Sequence, residues 1–89
     1  MASPTVYEGE INIGGPNSEQ LFDLNGVFGI TINLSKSALT MCGWRNNDND
    51  TNFPINQPQV YKVDTTHIIA KRHGTTNDIW VRFSLSIWP

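Results

Sequence analysis

From Ile79 to Trp88 apolar and polar residues alternate without a break. Ile79, Val81, Phe83, Leu85 and Ile87 take one parity, and Trp80, Arg82, Ser84, Ser86 and Trp88 take the other. Successive side chains of a strand point to opposite faces, so this pattern predicts a half-buried β-strand with its aliphatic parity inward. The outward parity is unusual. It carries two tryptophans and an arginine, residue types that dominate binding hot spots, where a solvated face ordinarily carries Thr, Lys or Glu.

Thr5 to Ile13 alternates more loosely. Tyr7, Ile11 and Ile13 share one face, Val6, Glu8 and Glu10 the other, and Gly9 weakens the middle, which predicts a strand at a sheet edge. Met1 to Pro4 reads as a frayed start. Gly14-Gly15-Pro16-Asn17-Ser18 predicts a turn; it lacks the spaced glycines, the lysine and the following helix of a phosphate-binding loop. Leu21 to Leu34 predicts a hairpin around Asn25-Gly26, because both residues tolerate positive φ, with Phe28, Ile30, Ile32 and Leu34 inward on its second strand. Ser35 is a candidate cap for a short helical turn over Lys36 to Leu39. Leu39 to Trp44 predicts another strand, with Leu39 and Met41 on one face and Thr40, Cys42 and Trp44 on the other.

Arg45 to Gln59 is written in Asn, Asp, Pro and Gln, with Phe53 and Ile55 as its apolar anchors. An irregular segment of this length in a small domain is a place where function concentrates. Val60 to Val63 predicts a short strand. His67 to Arg72 and Ile79 to Ile87 flank the turn-rich His73 to Asp78, which predicts a terminal hairpin. In symmetric register Arg72, Ala70 and Ile68 oppose Ile79, Val81 and Phe83 inside, and Lys71, Ile69 and His67 stand beside Trp80, Arg82 and Ser84 outside.

Length and charge narrow the classes. Eighty-nine residues suit a single β domain over residues 5–89, which exposes about 5,000 Å² of the roughly 14,500 Å² of its unfolded chain. Charged residues make up 16%, against ~25% in soluble domains. The polar surface is therefore mostly neutral Asn, Thr, Ser and Gln, which suits neutral polyols or another protein. A net charge of -2 supplies no basic stripe for phosphates, so nucleic acid is not an expected partner. Cys42 is the sole cysteine, which excludes an intrachain disulfide framework and thiolate-rich zinc sites. No apolar run approaches ~20 residues, so no membrane insertion is expected. No export signal is visible, and the compartment stays open.

Two constellations can carry a binding chemistry. The first is the outward face of the terminal strand, with Trp80, Arg82 and Trp88. A flat indole stacks on the C–H face of a sugar ring while Arg, Asn and Asp hydrogen-bond its hydroxyls. The same indoles can instead lie in a second buried layer or a subunit interface. The second constellation is Trp44 to Asn52, which supplies Trp44, Arg45, Asn46, Asp48 and Asp50. Asp48, Asp50 and Asn52 at spacing two match the opening of a calcium loop, but Phe53 replaces the glycine and Gln59 the closing Glu of an EF-hand. This loop, taken with a terminal strand ending in Trp-Pro, is loosely similar to calcium-dependent bacterial lectins over those few residues.

Catalytic chemistry is less well supplied. His67 or His73 with Cys42 lacks the neighbouring cation or helix N-terminus that activates a thiolate. Glu8 and Glu10 share a strand face at roughly 7 Å, in a domain with little room for a water-excluding cleft.

The fold expected is therefore all-β: a small antiparallel β-sandwich or partly closed β-barrel of six or seven short strands. The expected function is non-enzymatic, lectin-like carbohydrate binding through Trp44, Arg45, Asn46, Asp48, Asp50, Trp80, Arg82 and Trp88. No cofactor is implied beyond a calcium ion at Asp48, Asp50 and Asn52. The alternative is a structural or assembly protein, such as a virion or phage-tail component, whose outer tryptophans form subunit interfaces. The apolar residues left on outer faces predict a homo-oligomer.

Overall fold

A computed structural model describes residues 3–14, 17–46, 58–72 and 78–89, with Asn46 as backbone alone. Six strands and two short helical turns follow one another: β1 (Thr5–Ile13), β2 (Glu19–Asp23), α1 (Leu24–Phe28), a 3-10 turn (Leu34–Lys36), β3 (Ser37–Asn46), β4 (Gln59–Lys62), β5 (His67–Lys71) and β6 (Ile79–Ile87). They form two three-stranded antiparallel sheets, ordered β1-β6-β3 (sheet A) and β2-β5-β4 (sheet B). The all-β expectation holds, as a pair of sheets and not as a closed barrel. The inner faces meet in one core, where Ile11, Ile13, Ile79, Val81, Phe83 and Leu85 of sheet A pack with Ile68 and Ala70 of sheet B.

The parity of β6 survives intact. Ile79, Val81, Phe83 and Leu85 are buried while Arg82 is exposed and Trp80 half-buried. β6 is the central strand of sheet A, with β1 on one side and β3 on the other. The predicted edge position of β1 is observed. Gly9 faces Phe83 across the ladder, and its missing side chain makes room for that ring: a Cβ there would stand 2.8 Å from Phe83 Cζ. Around Phe83 the rings of Phe22 and Phe28 lie with centroids 5.1 and 6.4 Å away, both edge-on, the geometry that aromatic quadrupoles favour.

The terminal hairpin does not form. β5 pairs with β2 and β4, β6 pairs with β1 and β3, and the two strands belong to different sheets. The reason lies in β5 itself. Ile68, Ile69 and Ala70 are consecutive and all buried, with Ile68 and Ala70 in the core and Ile69 on the outer face between Leu21 of β2 and Tyr61 of β4, the position of a strand with two strand neighbours. Lys71, Ile69 and His67 consequently stand on sheet B and not beside Trp80, Arg82 and Ser84. Arg72 is buried as the inward parity requires, and two of its side-chain donors meet carbonyls. Its Nε donates to Asn17 O at 2.9 Å and a terminal nitrogen to Gly14 O at 3.1 Å.

The hairpin expected over Leu21 to Leu34 is also replaced. Asp23 caps α1 by accepting from Gly26 N at 3.0 Å, and Gly29 closes it in the left-handed region at φ 70°, so Asn25-Gly26 lies within a helix instead of a tight turn. Leu24 and Phe28, four apart, fall on one helical face against the core. Ile30 and Ile32 still point inward, but Ile32 N donates to Thr65 O as an isolated bond and not as part of a strand. A cap appears near the position assigned to Ser35, contributed by Asn33, whose side chain accepts from Ser35 N at 3.0 Å over Leu34–Lys36. Lys62 Nζ fastens this turn to sheet B, donating to Leu34 O and Ser37 O at 2.7 Å each.

Candidate functional site

The outward face of sheet A has β6 as its floor. Across the ladders Trp80 faces Asn12 and Arg45, Arg82 faces Glu10 and Gly43, and Ser84 faces Glu8 and Thr40. These neighbours are a different set from those a β5–β6 hairpin would have supplied. They are more polar, and β1 contributes two carboxylates.

A β-bulge shapes one side of this face. The β3–β6 register shifts between Met41 and Gly43, so Cys42 and Gly43 together oppose Arg82. Strict alternation would put Trp44 outward with Thr40 and Cys42; the extra residue instead pairs Trp44 with fully buried Val81, and its indole packs against the core. Arg45 is correspondingly turned outward beside Trp80. A bulge of this kind re-aims the side chains that follow it. No sequence period announces it, because one inserted residue looks like an imperfect alternation.

Arg45 and Trp80 form the centre of the site. The guanidinium carbon lies 4.2 Å from the ring centroid of Trp80, and a guanidinium nitrogen lies 3.9 Å from Glu10 Oε1. Gly43 contributes no side chain, and a Cβ built on it would meet nothing within 4 Å. The result is an open hollow of about 240 Å³ lined by Glu10, Gly43, Trp44, Arg45, Trp80 and Arg82. A second hollow of about 370 Å³ lies next along the strands, lined by Glu8, Gly9, Glu10, Cys42, Arg82 and Phe83. Arg82 and Glu10 stand in both. Arg45 is held by two weak contacts, whereas the exposed Arg82 side chain has no hydrogen-bond or ion-pair partner among the described residues.

The remaining candidates disperse. Trp88 lies past the end of β6, eight positions from Trp80 and about 26 Å away at the strand rise. It is 41% exposed, and its backbone N–H donates to Lys36 O at 2.9 Å. The three tryptophans therefore do not build one platform. Asn46 ends β3, described as backbone alone, and Asp48, Asp50 and Asn52, with the calcium candidate they form, lie outside the described residues, as does His73. His67 sits on sheet B beside Asp64, its Nδ1 3.2 Å from Asp64 Oδ1. The described residues contain no group of three or more His, Cys, Asp or Glu disposed to hold a metal. None of their helices is long and apolar enough to cross a membrane.

Sequence reasoning missed Glu10, Asn12 and Gly43 as members of the site. The parity of β1 already turned Glu8, Glu10 and Asn12 outward; what was lacking was the knowledge that β1 borders β6. No family model, curated protein or solved structure matches this chain.

Proposed function

We propose that this chain is a non-enzymatic carbohydrate-binding module whose site is the outward face of sheet A at Trp80. The observation that carries this reading is the position of the Trp80 indole, half-buried on the floor of a hollow between Arg45 and Asn12. An apolar ring flanked by guanidinium, carboxylate and amide groups offers a sugar both surfaces it needs: a face for its C–H groups, and donors and acceptors for its hydroxyls. The stack of Arg45 on the indole is no obstacle. An exposed cation–π contact contributes about 0.5–1 kcal/mol, less than one hydrogen bond to a charged group at about 1.5–3 kcal/mol.

The test is tryptophan emission of the whole chain titrated with a panel of soluble oligosaccharides, with and without calcium, alongside Trp80→Ala. Saturable change in the native chain and its loss in the folded variant support the reading. Unchanged emission with every glycan, in both conditions, ends it.

A second reading, a subunit of a larger assembly, is supported by the opposite face. On sheet B Leu21, Ile69 and Tyr61 stand side by side across three strands, and Leu21 and Tyr61 are 53% and 51% exposed. Sedimentation at micromolar concentration separates the two: a homo-oligomer whose formation Leu21→Lys abolishes favours assembly, and a stable monomer removes it.

A further inference from the structure

The two adjoining hollows differ in charge, and the difference specifies a ligand. The first holds two guanidinium groups, Arg45 and Arg82, against the single carboxylate of Glu10, beside the indole of Trp80. The second holds two carboxylates, Glu8 and Glu10, against the single guanidinium of Arg82. Arg45 already has Glu10 and Trp80 as partners. Arg82 has none among the described residues, and its exposed head stands where both hollows meet.

An arginine fork with free donors matches a carboxylate, which it takes through two parallel hydrogen bonds. The carboxylates of Glu8 and Glu10 accept only, so their complement is a group of donors, such as sugar hydroxyls. The geometry points to a linear acidic oligosaccharide as the ligand, with a uronate-type carboxylate on Arg82, that sugar's ring against Trp80, and hydroxyls of the neighbouring sugar donating to Glu8 and Glu10. This inference rests on the carbohydrate-binding reading of the same face.

Charge also argues against heavier polyanions. A sulfated glycan or a nucleic acid following the strands beyond Arg82 meets two carboxylates, and like charges brought together suppress the wrong partner. A polymer with one carboxylate per sugar, neutralised at one position and hydrogen-bonded at the next, suits the alternation. Two occupied hollows further require at least two sugar units, so a lone uronic acid fills half the site.

The experiment is calorimetric titration of the full chain with tetramers of galacturonic, mannuronic and glucuronic acid, each against its fully methyl-esterified counterpart, with the monomeric acids and a sulfated tetramer as further arms. At least one acidic tetramer is expected to bind about ten- to a hundredfold more tightly than its ester, the range of one charged hydrogen-bonding contact. It is also expected to exceed its monomer and the sulfated chain. Arg82→Gln should erase the acid–ester difference, Arg82→Lys should restore part of it, and Lys71→Gln on sheet B should leave it intact. Arg82 is exposed, so these variants keep the fold, which circular dichroism verifies. Esters or other neutral glycans binding as well as the acids, or Arg82→Gln retaining the difference, overturns the acidic ligand while leaving carbohydrate binding in place. Failure of every neutral and acidic glycan overturns both.

Discussion

Arg45 and Trp80 face each other across the β3–β6 ladder, with the guanidinium carbon 4.2 Å from the indole centroid. The pair closes one side of the hollow and shields the ring in the free protein. Arg45→Ala should therefore uncover the indole at small cost, about 0.5–1 kcal/mol, and shift Trp80 emission to the red. The shift is measured in a Trp88→Phe background, against the same background carrying Trp80→Phe, which isolates the contribution of Trp44 beside the hollow. An unchanged spectrum would mean that the stack does not persist in solution.

Gly9→Ala tests the centre of the core. The added methyl meets Phe83 at 2.8 and 3.0 Å, and Phe22 and Phe28 crowd the ring that would have to move. Overpacking of this kind costs about 1–3 kcal/mol. Phe83→Ala should cost more, about 3–5 kcal/mol, and the double variant less than the sum, since the methyl then finds space. Urea midpoints with an unchanged slope check all three.

Arg72 holds the turn before β2. Its side chain donates to the carbonyls of Gly14 and Asn17, and its backbone N–H donates to Ser18 O at 2.9 Å. Burial presses the guanidinium pKa down and the charge of Asp78 raises it. Arg72→Met leaves the part-buried carbonyls of Gly14 and Asn17 without those donors and should cost about 1–3 kcal/mol. Arg72→Lys should recover less than half, because a single ammonium does not reproduce the fork. Chemical denaturation at neutral pH reads the difference.

The turn that precedes β5 predicts an acid-limb dependence. Asp64 Oδ1 accepts from Thr66 N at 2.9 Å and Thr66 Oγ1 at 3.1 Å, with His67 Nδ1 at 3.2 Å. The Thr66 backbone N–H, ahead of an opposing desolvation and the His67 contact, holds this carboxyl below its ordinary 3.8. A carboxylate whose folded pKa is depressed contributes stability that is present above the unfolded value and lost as pH falls through the folded one. Asp64→Ala should thus lower the melting temperature more at pH 6 than at pH 3, below the carboxyl's ordinary 3.8. An equal shift at both would assign the effect to the lost turn geometry and not to charge.

Parity was legible and partnership was not. The faces of β1 and β6, with Ile11, Ile13, Val81 and Phe83 inward and Glu10 and Arg82 outward, follow from alternation, a local property. Even Ile30 and Ile32, which belong to no strand, point where their spacing says. Which strands lie side by side is settled by non-local packing, and there the short connection between β5 and β6 misled. Ile68-Ile69-Ala70, apolar on both faces, was the one residue signal that β5 needed two neighbours. The helix at Leu24–Phe28 was obscured by Asn25-Gly26, a strong turn pair, which yielded to the cap from Asp23 and the burial of Leu24. Of the candidate site, Trp80, Arg82 and Arg45 are singled out by residue type, while Glu10 and Gly43 join them only through the ladder.

Removing Cys42 from the written sequence of β3 leaves Leu39, Met41 and Trp44 in one set and Thr40, Gly43 and Arg45 in the other, a faultless alternation. The strand is thus an ordinary two-letter pattern carrying one supernumerary letter, and every residue beyond it is correctly addressed only when that letter is skipped. A chain lacking this position would keep the same inward and outward assignments as this one. Kinship to this protein should accordingly be sought with a gap allowed at that point, since a comparison that forbids it sets guanidinium against indole throughout the second half of the strand.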